Sequence, residues 1–207
     1  MSILEDFLHG IDNESNYRLL LYLALEETRG STHSVLELGP SAGSTPYLHA
    51  YCETEGRPLV SMDEDIFMTA KWSHLRSVRH EVQCCAWSAA PIEKQAWSVG
   101  LINHAPGDRR WADAMRLHPR SEILVLHNTE PAADHGYRFS QIWGEFKYRA
   151  DVKTGGAWAT AVSNTRDLHK WRGMKFGEYV GTAGFDDVRA DATRDLIERL
   201  TTTLPEA

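Results

Sequence analysis

The stretch Ser34-Val-Leu-Glu-Leu38 runs without a spacer into Gly39-Pro-Ser-Ala-Gly43 and then into Ser44-Thr-Pro-Tyr-Leu-His-Ala-Tyr51. Five mainly apolar, partly β-branched residues read as a buried strand. The glycines at both ends of the next segment permit a tight turn and a close backbone approach. Pro46 suits a first helical turn, where its missing N–H is no loss. Strand, glycine turn and helix together form the opening unit of a parallel α/β sheet. The helix start adds a dipole that favours polar or anionic groups.

The pattern repeats along the chain. Strands are expected at 58–62, 82–86, 97–102, 122–126 and 157–162, with a further one around 175–180. Helices are expected at 17–29, 66–76, 108–117 and 191–200, and residues 139–148 read as helical. At the amino end, Ser2-Ile-Leu-Glu5 reads as a capping box for a short helix stopping near Gly10, and Asn13 reads as the cap of the next helix. The run Leu19-Leu-Leu-Tyr-Leu-Ala-Leu25 is apolar nearly all round, so its helix should be buried. Short, continuously apolar strands fit a sheet covered on both faces. The chain of 207 residues fits one domain over 1–207, with a helical cap over 1–30 and a Rossmann-like core over 34–200. Thr129 to Arg138 is polar and reads as a loop at a strand's carboxyl end, where open α/β sheets place ligands.

Composition narrows the function. Lys and Arg number 22 against 29 Asp and Glu, a formal charge of −7. An acidic surface repels phosphate backbones, so nucleic-acid binding is not expected. No apolar run approaches the roughly 20 residues needed to cross a bilayer, so no membrane partner is expected. Met1-Ser-Ile-Leu-Glu-Asp6 lacks the basic start and apolar stretch of a signal peptide. Three cysteines, two of them adjacent, give no disulfide framework or CxxC knuckle. The expectation is a cytoplasmic protein with reduced thiols; a homodimer stays open.

Asp63 ends the second strand, twenty residues beyond Gly43. A carboxylate there can accept both ribose hydroxyl hydrogens, so glycine turn plus acid is a nucleoside-binding pattern. The plainer reading is an ordinary turn with a surface Asp. A nicotinamide oxidoreductase wants G-x-G-x-x-G, whereas this turn is G-x-S-x-G. The same five residues match a hydrolase nucleophile elbow with Ser41 as nucleophile. That elbow needs earlier strands for its oxyanion hole, and the residues before Gly39 look helical.

Val35-Leu-Glu-Leu-Gly-Pro-Ser-Ala-Gly-Ser-Thr-Pro46 resembles motif I of class I S-adenosylmethionine-dependent methyltransferases. Leu101-Ile-Asn-His-Ala-Pro-Gly-Asp-Arg-Arg110 resembles their fourth-strand motif, and Leu124-Val-Leu-His-Asn-Thr-Glu130 their fifth. The resemblance spans about residues 34 to 131. It implies a mostly parallel seven-stranded α/β sheet with helices on both faces. It implies S-adenosylmethionine as cofactor, with S-adenosylhomocysteine as product. The implied cofactor contacts are Glu37, Gly39, Ser41, Gly43, Ser44, Asp63, Glu64, Trp87 and Asn103, with Trp87 near the adenine. Relatives that use a divalent metal carry Asp where this chain has Asn103 and Asn128. Mg²⁺ prefers charged oxygen ligands, so no catalytic metal is expected here.

Methyl transfer to O or N requires an aligned acceptor and often a base. His104 and His127 end adjacent central strands and titrate near neutrality when unperturbed. His104 is the first candidate base and His127 the second. Asn128, Arg109 and Glu130 are candidate contacts to a small polar acceptor, with Arg110 weighed alongside Arg109. Each of these polar residues also has a plain surface or structural reading. His74, His80, His118, His135 and His169 read as surface or structural. Most of the seven tryptophans read as core. The rival function is a non-catalytic nucleoside-binding regulator on the same fold.

Overall fold

A computed structural model describes residues 15–154 and 156–173. The capping box at Ser2, the Asn13 cap, the strand expected at 175–180 and the helix expected at 191–200 lie outside them. Seven strands form one sheet in the order β3-β2-β1-β4-β5-β7-β6. They are β1 Ser34–Leu38, β2 Leu59–Asp63, β3 His80–Cys84, β4 Trp97–Ile102, β5 Ser121–His127, β6 Tyr148–Thr154 and β7 Ala157–Ser163. The first five are mutually parallel, and β7 runs antiparallel to both β5 and β6. The chain direction reverses after β1: β2 and β3 extend to one side, β4 and β5 to the other. The glycine turn leaves β1 at this switch point, where open sheets leave a crevice.

The helices are α1 Tyr17–Glu27, α2 Thr45–Glu55, α3 Ile66–Trp72, α4 Arg110–Leu117 and the single turn α5 Asp134–Tyr137. Strand residues alternate between two apolar layers. Val35, Leu59, Val99, Leu101, Ile123 and Val125 face the layer built by α1 and by Leu48, Tyr51 and Cys52 of α2. Leu36, Leu38, Val60, Met62, Ile102, Leu124 and Leu126 face the layer built by Trp87, Trp97, Ala114, Leu117 and Phe139. Both faces are therefore dry, which is why these strands read as continuous apolar runs. Leu20, Leu21, Ala24 and Leu25 are completely buried. Instead of standing apart from the core, α1 covers the face of β4, β5 and β7. Arg57 fixes its far end by donating to Leu25 O (3.0 Å), Thr28 Oγ1 (3.0 Å) and Ser98 Oγ (2.6 Å).

Two sequence expectations are corrected. Residues 139–148 are not a helix. They form two 3₁₀ turns, Phe139–Gln141 and Trp143–Glu145, and then enter β6. Phe139, Ile142, Trp143 and Phe146 recur at helical spacing, but Gly144 interrupts them, and the aromatic rings stack on one another (Phe139 to Trp143, 5.8 Å). Strand β6 has buried Ala150 and Val152 alternating with half-buried Arg149 and Lys153 and exposed Asp151, as an edge strand should. The third strand starts two residues earlier than expected, because its register places His80 opposite Leu59 and Cys84 opposite Asp63.

Leu101 lies in β4 between Glu37 of β1 and Val125 of β5 and is completely buried. Leu101→Ala is expected to cost about 2–5 kcal/mol in chemical denaturation. Glu81→Ala, at an exposed position of β3, is expected to stay within about 0.5 kcal/mol.

Candidate functional site

The carboxyl ends of β2, β1, β4 and β5 meet at the glycine turn. Gly39 N donates to Met62 O (3.0 Å), and Asn103 N donates to Leu38 O (2.8 Å). Gly39 has φ of +89°, and a Cβ there would lie 2.5 Å from the backbone of His104. No other residue fits that left-handed position at that approach. The turn is then held from within. Ser41 N donates to Thr45 Oγ1 (2.8 Å), and Thr45 and Ser44 donate to Glu37 Oε1 at 3.0 and 2.5 Å. Ser61 donates to Glu37 Oε2 (2.6 Å). Burial pushes the Glu37 carboxyl up to about 7, because three hydroxyls only partly replace water.

Asp63 closes β2 beside the turn. Its Oδ1 accepts from Asp65 N (2.9 Å), and Asp65 in turn caps α3 by accepting from Phe67 N (2.7 Å). Burial raises the Asp63 carboxyl above its ordinary value. Glu64 is exposed next to it. Trp87 sits under the site and not at its surface. Its ring stacks on His104 at 4.3 Å, and its indole N–H donates to Ala105 O (2.8 Å).

Both candidate histidines are buried, and they differ in their partners. The His104 side chain has no exposed surface, and its Nε2 lies 3.2 Å from Asp113 Oδ2. Among the described residues its Nδ1 has no hydrogen-bond partner. Burial pushes Asp113 up, but its contacts with His104, Arg109 and Arg116 outweigh that and hold it below the usual carboxylate range. His127 Nδ1 instead meets Asn103 Oδ1 at 2.9 Å. An amide oxygen only accepts, so this contact puts the hydrogen on Nδ1 and the lone pair of the neutral ring on Nε2. The Tyr17 ring lies 4.7 Å from the His127 ring, and the Tyr17 hydroxyl lies 3.2 Å from Ser41 Oγ.

Arg110, the first residue of α4, ties the strand ends together. It donates to His104 O (2.7 Å), Asn103 O (2.9 Å), His127 O (3.2 Å) and Asn128 Oδ1 (3.0 Å). Its guanidinium also lies 4.8 Å from the Tyr137 ring, an approach that Gly107 permits, since a Cβ there would strike that ring. Asn128 adopts φ of +62°, a conformation asparagine tolerates. Arg109 is engaged by Asp113 (2.8 Å), and Glu130 Oε2 accepts from Trp158 N (3.0 Å).

The structure thus brings Glu37, Gly39, Ser41, Gly43, Ser44, Asp63, Asn103, His104, His127 and Asn128 together around the carboxyl ends of β1, β2, β4 and β5. It gives Arg109 and Glu130 intramolecular partners and buries Trp87. The sequence left Tyr17, Asp113 and the Ser61–His80 pair unmarked. Tyr17 has no local motif, since its role depends on α1 folding back over the turn. The only hint for Asp113 was its spacing: Arg109 and Arg116 flank it four and three positions away on one helical face.

Arg110→Met keeps the length of the side chain but removes its donors, leaving three strand-end carbonyls unpaired. It is expected to lower stability by about 3 kcal/mol or more, read by urea denaturation. Arg29→Met, at an exposed ion pair, is expected to cost less than about 1 kcal/mol.

No protein-family model matches the sequence, and no curated protein sequence matches it. Solved structures do match. An O-methyltransferase from Bacillus cereus in complex with S-adenosylhomocysteine aligns at 13% identity and a TM-score of 0.52, over 79% of this chain and 91% of the other. The O-methyltransferase TomG from Streptomyces achromogenes, in complex with S-adenosylmethionine, aligns at 13% identity and a TM-score of 0.54, over 79% and 90%. A provisionally assigned O-methyltransferase from Klebsiella pneumoniae aligns at 15% identity and a TM-score of 0.54, again over 79% and 90%. The chain has the Rossmann-like fold of the class I methyltransferases.

Proposed function

We propose that the chain is an S-adenosylmethionine-dependent methyltransferase acting on a small polar molecule. The observation that carries this reading is the Gly39 turn with Asp63 one strand away, at the switch point of a fold shared with O-methyltransferases crystallised with that cofactor or its product. The residues present fit the group. Ala42 is exposed and Ser41 and Gly43 are half-buried at the turn, so its tip is accessible, and the Asp63 carboxylate can take a ribose. Bound there, the cofactor supplies an electrophilic methyl on a sulfonium. Glu37, Gly43, Ser44 and Asn103 shape the bed, Glu64 lies at its rim, and Trp87 supports it from below through His104.

His127 is the candidate base. Asn103 fixes its tautomer, as the third member of a nucleophile–base–orienter set does elsewhere. His104, the other candidate, is enclosed by Trp87 and Asp113, so it acts on the site by holding the wall beside the Gly39 turn. Metal independence draws support from Arg110. A divalent ion at Asn103 and Asn128 would face a guanidinium already bonded to Asn128 Oδ1. Asn128 and the loop carrying Glu130 would meet the acceptor, with Arg109 at the edge. We assign residues 1–207 to one domain, with 1–30 as its cap, working in the cytoplasm on a free small molecule and not on nucleic acid.

Calorimetric titration with S-adenosylhomocysteine tests the cofactor. Binding is expected, and Asp63→Ala should weaken it at least about tenfold by removing two charge-assisted hydrogen bonds. No binding at millimolar ligand would end this reading. With an acceptor in hand, His127→Gln should lower kcat about 100-fold or more while leaving product affinity unchanged. A protein that binds the cofactor without turnover on any acceptor would be the non-catalytic regulator.

A further inference from the structure

A buried chain of hydrogen bonds runs from the surface of α2 to the glycine turn. His49 Nδ1 on α2 lies 3.2 Å from His80 Nδ1 on β3. His80 Nε2 lies 2.9 Å from Ser61 Oγ on β2. Ser61 Oγ lies 2.6 Å from Glu37 Oε2 on β1. From Glu37 Oε1 the chain continues through Ser44 Oγ (2.5 Å) to Ser41 Oγ (2.9 Å) and the Tyr17 hydroxyl (3.2 Å). Glu37 and Ser61 have no exposed surface, and His80 has almost none. His49 is only half-buried, and His80 also lines an open cavity of about 480 Å³ with Arg76, Ser77 and Arg79. The inner end of this chain sits beneath the turn, and its outer end meets water.

Hydrogen counting gives the chain two states. Ser61 has one hydroxyl hydrogen. When Glu37 is ionised, Ser61 must donate to it, and then Ser61 accepts from His80 Nε2–H. When Glu37 carries a proton on Oε2, that proton goes to Ser61. Ser61 then donates to His80 Nε2, and His80 carries its hydrogen on Nδ1, facing His49. Passing between the states moves one proton between Glu37 and the His49 side, with no heavy atom displaced. The Ser44 and Thr45 donors keep their direction in both states, so the turn keeps its shape while the charge under it changes.

We infer that Glu37 is a positioning residue for the Gly39 turn whose proton exchanges with solvent through Ser61, His80 and His49, so that the charge beneath the turn follows pH. The groups around it agree with a single mobile proton. Asp63 on β2 and Glu53 on α2 supply negative charge near the two ends, Cys52 of α2 lies close, and Tyr17 faces it from α1. Burial holds His80 down to about 4, so it stays neutral while Glu37 titrates about 7. Above that pH the bed is negative; below it the bed is neutral. The ligand consequence rests on the methyltransferase reading. S-adenosylmethionine carries one sulfonium charge that S-adenosylhomocysteine lacks, and the two share every other ionisable group. Their affinity ratio therefore reports the charge near the sulfonium, and its loss of pH dependence in Glu37→Gln assigns that charge to Glu37.

The first measurement is independent of any ligand. In ¹⁵N-histidine-labelled protein, His80 is expected to carry its hydrogen on Nδ1 at pH 6 and on Nε2 at pH 8. Glu37→Gln and Ser61→Ala should each abolish that switch. One unchanged tautomer across this range, or a switch that persists in Glu37→Gln, overturns the relay. The second measurement is the affinity ratio. Binding of S-adenosylmethionine relative to S-adenosylhomocysteine should improve about threefold to tenfold from pH 6 to pH 8. The ratio should be flat in Glu37→Gln. A flat wild-type ratio overturns the effect on the ligand, whereas no binding of either molecule overturns the methyltransferase reading and leaves the tautomer result to decide the relay.

Discussion

Arg110 carries a positive charge into the site without a carboxylate to meet it. Among the described residues none lies within ion-pair distance. Four oxygens at the ends of β4 and β5 take its N–H groups instead, and the Tyr137 ring covers its face. Burial pulls its pKa down from the usual arginine value. A guanidinium tolerates this better than an ammonium would, because its charge is spread and its fork fits several acceptors at once. Parallel strands end in rows of unpaired carbonyls, and those of β4 and β5 belong to residues that must hold particular side chains in the crevice. The backbones of Asn103, His104 and His127 all answer to this one group. The position of the candidate base is therefore a consequence of α4 starting where it does.

The same interaction explains the two amides. A carboxylate at position 128 would sit against Arg110 and form a tight ion pair, neutralising the clamp and drawing it off the carbonyls. An amide gives Arg110 an acceptor without that pull. At position 103 the amide oxygen receives His127 Nδ1–H and orients the ring. A carboxylate there would stabilise the imidazolium and raise the basicity of His127, as it does in hydrolase triads. The pair of amides thus belongs with a fixed cation and an oriented histidine: one amide accepts from Arg110, the other from His127.

Much of the fold was legible because the signals were local. The first, fourth and fifth strands are largely buried on both faces and read as mainly apolar runs. The glycine turn announced itself because Gly39 φ and the approach of His104 leave no alternative residue. Residues 139–148 were misread because aromatic residues at helical spacing can as well stack across successive 3₁₀ turns. The site was less legible than the fold for the same reason that Tyr17 went unmarked. Its hydroxyl reaches Ser41 across 24 positions of sequence, and no period or spacing encodes such a contact. His80 read as surface or structural, yet its burial in β3 beside Ser61 makes it half of a proton path. Arg110 read as equally suited to solvent, since an arginine at a helix start carries no sign of where its fork will land.

Tyr17 is where the two polar systems touch. Its hydroxyl ends the chain that runs through Ser41 and Ser44 to Glu37, and its ring lies on His127, which Asn103 and Arg110 hold. Ser44 spends its hydrogen on Glu37, so Ser41 must donate to Ser44, and Tyr17 must donate to Ser41. The phenol is thus locked as a donor toward the turn, and burial keeps it protonated by raising its pKa. Its ring is then fixed in angle, and so is the wall it offers to His127. Displacement of α1 along the sheet would disturb the hydroxyl order at the turn and the packing of the candidate base together. The completely buried leucines of α1 resist that displacement. The apolar helix of the amino-terminal cap thus also anchors the one side chain shared by both halves of the site.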